Sequence, residues 1–254
     1  MKSDLNGKVV LITGASTGIG AAAALAFARH GSKVVVHYNT SKMQAETVAA
    51  GVKAAGAESM LVGGDVTRSA DVKRIVAETM AAHGRIDVLI NNAGGMIGRT
   101  KIEDYTEEYL GKVLALNVIQ VALFMREVIP IMRKQRAGNV INVSSIAARH
   151  GGGGGAIIYA GAKGFISTAT HGWAKEVVGD NIRVNAVSPG VITTPFHERY
   201  STADQLKTMQ ATVPMNRLGA PEECAGTFVY LASDQMSGYV TGQVIEVNGG
   251  QYMP

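Results

Sequence analysis

The sequence predicts an α/β fold, a doubly wound parallel sheet in a single domain of 254 residues. Three observations predict it. Short β-branched runs alternate with longer helical patterns along the whole chain. Those runs are apolar throughout, as strands covered on both faces are. A glycine-rich segment joins the first strand to the first helix, the end of such a sheet where ligands bind.

The elements follow in order. Val9-Val10-Leu11-Ile12 reads as a buried strand. An Ala-rich helix covers 19–29 and stops at Gly31. Strand 33–36 and a helix over 42–55, closed by Gly56, come next. Strand 60–62, a helix through 72–82 and strand 88–90 complete the first half. The second half has a long helical segment from 107 to 133, strand 139–143, a helix over 159–178, strand 183–187, a helix over 221–232 and strand 243–247. No linker and no internal repeat interrupts them. The low-complexity run 151–155 reads as a mobile loop.

Composition narrows the function classes. At 46% hydrophobic and 17% charged residues, a packed core is expected rather than disorder. The single cysteine, Cys224, excludes an internal disulfide and a cysteine-based metal cluster. It suits a reducing compartment, so a cytoplasmic location is expected. The net charge is +4, but Lys and Arg are scattered. Their densest patch, 133–136, reads as a solvated helix end, so no nucleic-acid partner is expected. No apolar run follows Met1-Lys2 as a secretory signal would. The most apolar stretch, 113–125, is broken by Asn117 and Gln120 and falls short of the roughly 20 residues that span a bilayer, so no membrane partner is expected. The six histidines show no metal-ligand spacing, and no metal is expected.

The segment Thr13-Gly14-Ala15-Ser16-Thr17-Gly18-Ile19-Gly20 opens the first helix. A helix N-terminus offers unpaired N–H groups and partial positive charge to a pyrophosphate. Glycines let the chain turn sharply and let a phosphate approach the backbone. Ser16 and Thr17 add hydroxyls. The spacing is G-x-x-x-G-x-G rather than G-x-G-x-x-G, and an ordinary glycine-rich turn is the plainer alternative. Beyond it, an acidic residue at the end of the second strand would bind an adenosine ribose. Here the strand runs into His37-Tyr38-Asn39-Thr40-Ser41-Lys42, with no carboxylate. Asn39, Thr40, Ser41 and Lys42 suit a 2′-phosphate, which favours NADP(H) while leaving NAD(H) open. Thr40 or Ser41 also suits a helix cap, and both roles are compatible.

Tyr159 and Lys163 stand four apart on a predicted helix and share a face. A phenol near pKa 10 is a poor base at neutral pH, and a nearby ammonium lowers that value. A drop of about 3 units needs about 4 kcal/mol of differential interaction. Tyr-x-x-x-Lys alone is a common pair, equally read as helix packing. Its weight comes from company: Ser144-Ser145 ends one strand and Asn91-Asn92-Ala93-Gly94 ends another.

With those segments, Asp65-Val66, Asn117, 189–194 and Val240-Thr241-Gly242 with Asn248-Gly249-Gly250, the sequence resembles the single-domain branch of the short-chain dehydrogenase/reductase family over nearly its whole length. Its 3-oxoacyl-carrier-protein reductases are the nearest type. The resemblance implies a Rossmann-type fold and an oxidoreductase that interconverts a ketone and a secondary alcohol with a nicotinamide dinucleotide. It implies that Tyr159 is the acid/base, that Ser145 binds the substrate oxygen, that Lys163 holds the nicotinamide ribose and lowers the Tyr159 pKa, and that Asn117 supports a proton relay. Gly14, Ser16, Thr17, Gly18, Ile19 and Gly20 would hold the pyrophosphate. Asp65 and Val66 would flank the adenine, with Asn91, Ala93 and Gly94 along the ribose path. Pro189, Gly190, Ile192 and Thr194 would enclose the nicotinamide. Many members place the serine thirteen residues before the tyrosine; here Ser145 is fourteen before it and Ser144 fifteen, so Ser145 is assigned with Ser144 as the fallback. The stretch 194–217 resembles a substrate lid. His150 and His197 are candidates for the cleft border, whereas Trp173 and Cys224 read as packing residues. The family also implies a homotetramer built on the helices after Glu107 and Tyr159. A catalytically silent dinucleotide sensor and a sugar epimerase or dehydratase are the competing classes. The first usually lacks the Tyr or the Lys, and the second tends to carry G-x-x-G-x-x-G.

Overall fold

The computed structural model describes residues 3–254. Its first half runs β1 (Val9–Ile12), α1 (Gly18–Arg29), β2 (Lys33–Tyr38), α2 (Lys42–Ala54), β3 (Ser59–Gly63), α3 (Ser69–His83) and β4 (Val88–Asn91). Its second half runs α4 (Glu107–Leu114), α5 (Gln120–Gln135), β5 (Gly138–Val143), α6 (Ala147–His150), α7 (Ile157–Val177), β6 (Ile182–Pro189), α8 (Pro195–Tyr200), α9 (Ala203–Ala211), α10 (Pro221–Ala232), α11 (Asp234–Ser237) and β7 (Val244–Val247). The strands form one seven-stranded sheet in the order β3-β2-β1-β4-β5-β6-β7, and every neighbouring pair is parallel. The order reverses between β1 and β4, which opens a crevice at the C-terminal ends of those strands.

The apolar strands are explained by two cores, one on each face. Val10 and Ile12 of β1 pack with Phe27 of α1, Val52 of α2 and Phe228 of α10. Val9 and Leu11 face the other way, against Ile75 of α3, Phe124 and Val128 of α5 and Ile166 of α7. Successive side chains of one strand therefore serve opposite layers. Phe27, Phe124 and Phe228 are fully buried, each contributing about 2–3 kcal/mol of burial.

Three departures from the sequence expectation have physical causes. The predicted helix 107–133 is interrupted by a π turn at Ala115–Ile119. There the Asn117 side-chain amide donates to Val113 O, one turn back, at 2.9 Å, competing with the backbone for that carbonyl. The strands β2 and β6 run on to Tyr38 and Pro189, because their polar ends still pair with β3 and β7. The stretch 194–217, which shows no strong periodicity, contains α8 and α9, the latter opened by a capping box between Thr202 and Gln205. The segment Glu107–Gln135 taken whole is long and apolar enough to cross a membrane. Its apolar face instead supplies Val121, Phe124, Val128 and Met132 to the core.

Candidate active site

The glycine-rich turn is braced from three sides. Thr13 Oγ1 accepts from the backbone N–H groups of Asn92 and Ala93, each at 3.0 Å. The Asn92 amide donates to Thr13 O and Gly14 O, each at 2.9 Å. Gly14 N–H donates to His37 Nδ1 at 3.0 Å, and Ala15 N–H to His37 O at 2.8 Å. His37 Nε2 lies 3.0 Å from Gly64 O. The bare Nδ1 and the donating Nε2 define a neutral imidazole, and burial holds its pKa down at about 4.

Backbone geometry demands glycine here. Gly14 and Gly18 have φ of +62° and +56°, and a Cβ on Gly14 would lie 3.0 Å from Ala93 Cα. On Gly20 it would lie 2.5 Å from Gly14 O. Thr17, before the first residue of α1, makes no side-chain cap, so the helix's first N–H groups are free to meet an anion. These features fit the pyrophosphate of a dinucleotide.

Helix α7 is fastened to β5 by polar contacts. Ser144 Oγ donates to Lys163 O at 3.0 Å and lies 2.7 Å from Ser167 Oγ. The Asn142 amide donates to Thr170 Oγ1 at 3.0 Å. Lys163 Nζ donates to Val143 O at 2.8 Å and sits 5.8 Å from the centre of the Tyr159 ring. Both side chains are buried. Ser144 is thus occupied with the helix, whereas Ser145 Oγ accepts from Ala147 N–H at 3.1 Å and lines the cleft with Tyr159.

Burial governs the electrostatics of this pair. It pushes Tyr159 up to about 12, and the neighbouring Ser145 hydroxyl only partly opposes it. Burial likewise pulls Lys163 down to about 8. Lys163 is directed at a backbone carbonyl, and desolvation dominates both groups. At neutral pH the phenol is protonated, the form that gives a proton to a ketone oxygen.

One cleft of about 470 Å³ gathers most of the sequence-predicted residues. Gly14, Ser16, Thr17, Gly18 and Ile19 line one end, with Asn39, Thr40, Ser41 and Val66. Ala93, Gly94, Ser145, Tyr159 and Lys163 form the middle, and Pro189, Gly190, Ile192 and Thr194 close over it. His150 and His197 do border the far end. Four predicted residues stand behind the walls. Gly20 supports the turn. Asp65 Oδ1 is taken by the Thr67 backbone N–H and hydroxyl at 2.9 and 2.7 Å. Asn91 donates to Asn142 Oδ1 at 2.9 Å inside the sheet. Asn117 grips Gly95 by both its N–H and its C=O, at 3.1 and 2.8 Å. A Cβ on Gly94 would come within 3.0 Å of Asn117 Oδ1 and 3.1 Å of Lys163 Nζ. The lining residues His37, Asn92, Met96, Arg99 and Gln251 carried no site assignment in the sequence reading. His37 and Asn92 were within reach of it, since each adjoins a singled-out segment. Met96, Arg99 and Gln251 sit in stretches with no recognisable pattern.

Fold and site together define an oxidoreductase that uses a nicotinamide dinucleotide, with a helix-end phosphate cradle leading to a buried phenol. Comparison with known proteins agrees. Residues 14–251 match the family model described as enoyl-(acyl carrier protein) reductase. The 3-oxoacyl-[acyl-carrier-protein] reductase of Synechocystis is 39% identical, over 98% of this chain and 98% of that one. The corresponding Thermotoga maritima reductase is also 39% identical, over 97% and 98%. Among solved structures, the NADH-dependent reductase A1-R' responsible for alginate metabolism superposes with a TM-score of 0.91, at 35% identity and 99% coverage of each chain. Its complex with NAD gives 0.90 at 36% identity, covering all of both chains. The chain belongs to the short-chain dehydrogenase/reductase family, and its activity is the NAD(P)(H)-dependent interconversion of a carbonyl and an alcohol.

Proposed function

We propose that the chain reduces a ketone to a secondary alcohol, with NADP(H) preferred over NAD(H) and Tyr159 giving the proton. The observation that carries this reading is the protonated Tyr159 phenol beside the Ser145 hydroxyl, both lining the cleft that begins at the phosphate cradle. A dinucleotide held in this cleft would supply the hydride. Ser145 positions the ketone oxygen against Tyr159, and the two hydroxyls share the charge that develops there. Lys163, held by Val143 O, binds the nicotinamide ribose and keeps positive charge near the phenol as its proton leaves. Asn117 acts as a positioning residue, placing Gly94 and Gly95 beside Lys163. Asp65, with its carboxylate engaged, contributes to the adenine pocket through its backbone and through Val66.

The NADP(H) preference rests on Asn39, Thr40 and Ser41, which line the adenosine end without a carboxylate. A ribose 2′-phosphate is tolerated there, whereas an acidic residue would repel it. Helices α8 and α9 act as the lid over the substrate. The exposed Leu114, Ile119 and Phe165 lie on the two helical segments through which a homotetramer is proposed, and sizing that finds only monomer would refute that assembly. The buried free Cys224 suits a cytoplasmic enzyme.

A two-cofactor screen tests the reading. NADPH and NADH are compared on ketoacyl thioesters, ketoses, diketones and an enone. Ketone reduction faster with NADPH is expected. An NADH preference removes the role given to residues 39–41, and reduction of the enone alone removes the carbonyl assignment.

A further inference from the structure

The cleft is lined by no Asp or Glu among the described residues. Its phosphate end explains that for the dinucleotide, but the far end is equally devoid of acid and carries two guanidinium groups. Arg99 lies in the loop after β4. Its Nε donates to Tyr200 O at 2.9 Å, and its Nη1 donates to Gly154 O at 2.9 Å. Arg199 lies on α8, with its guanidinium carbon 6.0 Å from the centre of the Tyr200 ring. Among the described residues neither is paired with a carboxylate. His150 and His197 join them at the same border, where burial first and the Arg99 charge second hold the His197 pKa down.

The two arginines stand at a definite remove from the reacting phenol. The Tyr159 ring lies 5.7 Å from Phe196, which lies 5.1 Å from Tyr200. Tyr200 carries the carbonyl that Arg99 binds. The wall therefore passes from the acid, across two aromatic rings, to fixed positive charge. A half-buried guanidinium satisfied only by carbonyl oxygens retains its full charge and further donors. Such a group is a poor neighbour for a purely apolar ligand and a good one for an oxyanion.

We propose that the substrate carries an acidic oxygen group, a carboxylate or phosphate, several bonds from the carbonyl, and that Arg99 and Arg199 bind it. This rests on the carbonyl-reductase reading above and names its substrate class. Arg99 also ties α8 at Tyr200 O to the glycine loop at Gly154 O, so its fork is held in place before an anion arrives.

The test compares matched pairs: levulinate with its methyl ester, a longer keto acid with its ester, and dihydroxyacetone phosphate with dihydroxyacetone. The acids read a carboxylate and the last pair reads a phosphate. In the wild type, kcat/KM for at least one anion is expected to exceed that of its neutral partner about tenfold or more, chiefly through KM. Arg199→Gln, at an exposed position, and Arg99→Lys, which keeps the charge but loses the planar fork, are each expected to narrow that ratio severalfold, by about three or more. Neutral partners turned over as well as the anions, or a ratio that neither variant moves, overturns the proposal while leaving ketone reduction intact. If no compound is reduced with either cofactor, the functional reading fails instead. Quenching of bound NADPH fluorescence then decides the anion site. Anion-selective binding weakened by Arg199→Gln supports it, and equal binding of both partners, or none, overturns it.

Discussion

The two ends of the cleft are built in opposite ways. At the phosphate end, Thr13, Gly14 and Ala15 are held by hydrogen bonds from Asn92 and Ala93 and to His37. The glycines there are hemmed in, and added Cβ atoms meet Ala93, Thr194 or Gly14 itself. At the far end, five consecutive glycines, Gly151 to Gly155, all adopt positive φ. Gly151 and Gly153 face open space, whereas a Cβ on Gly152 would meet Ala156 O at 2.8 Å and one on Gly155 would meet Thr100 N at 2.8 Å. Side chains from the β4 loop, α6 and α8 meet there, tied mainly through Arg99 to the carbonyls of Tyr200 and Gly154. A cofactor of constant shape is matched by a cradle held within one segment and its neighbours, whereas the far end is assembled from separate loops.

The largest expected break in this contrast is Gly14→Val. Its side chain would require left-handed backbone at φ +62° and would collide with Ala93. Cofactor affinity is expected to fall by about two to three orders of magnitude. Titration of NADPH binding checks it, and wild-type affinity would show that the turn yields freely.

The His37 clasp is tested through pH. Its pKa lies at about 4 in the fold against 6.5 for the free side chain. Between those values the unfolded chain binds a proton that the folded chain refuses, so His37 lowers stability as pH falls from about 6.5 to about 4. The full loss is about 3 kcal/mol by linkage. Urea unfolding of the wild type and His37→Gln across that range should show the wild-type advantage shrinking. A constant difference would mean that the imidazole titrates normally.

The smallest effect is expected at the loose end. Gly153→Ala adds a methyl into open space, at φ +44°. About 1 kcal/mol of stability or less should be lost, with cofactor affinity unchanged. A loss of cofactor binding would show that the two ends are coupled more tightly than their contacts imply.

The same contrast explains what the sequence disclosed. The phosphate end is one contiguous segment after a strand, and its glycines mark backbone constraints that are local. Tyr159 and Lys163 share a helix face, so their proximity was also legible. The choice between Ser144 and Ser145 is not legible in the sequence, because it turns on which hydroxyl α7 occupies, and α7 occupies Ser144. The sequence marks Asn117 but does not show that its amide holds Gly95 and sits in a π turn. Arg99 was invisible, since its place is set by contacts with Gly154 and Tyr200, far along the chain. Nor did the sequence reveal that burial, rather than Lys163, dominates the Tyr159 pKa. Desolvation is a property of the assembled wall.

The central claim is that Tyr159 gives the proton at the junction of the two ends. Measuring ketone turnover and NADPH affinity together for Tyr159→Phe tests it most directly. Turnover is expected to fall by about a thousandfold or more, with affinity held within about twofold because the cradle is untouched. Turnover near the wild-type level, with the phenol hydroxyl gone, would contradict it.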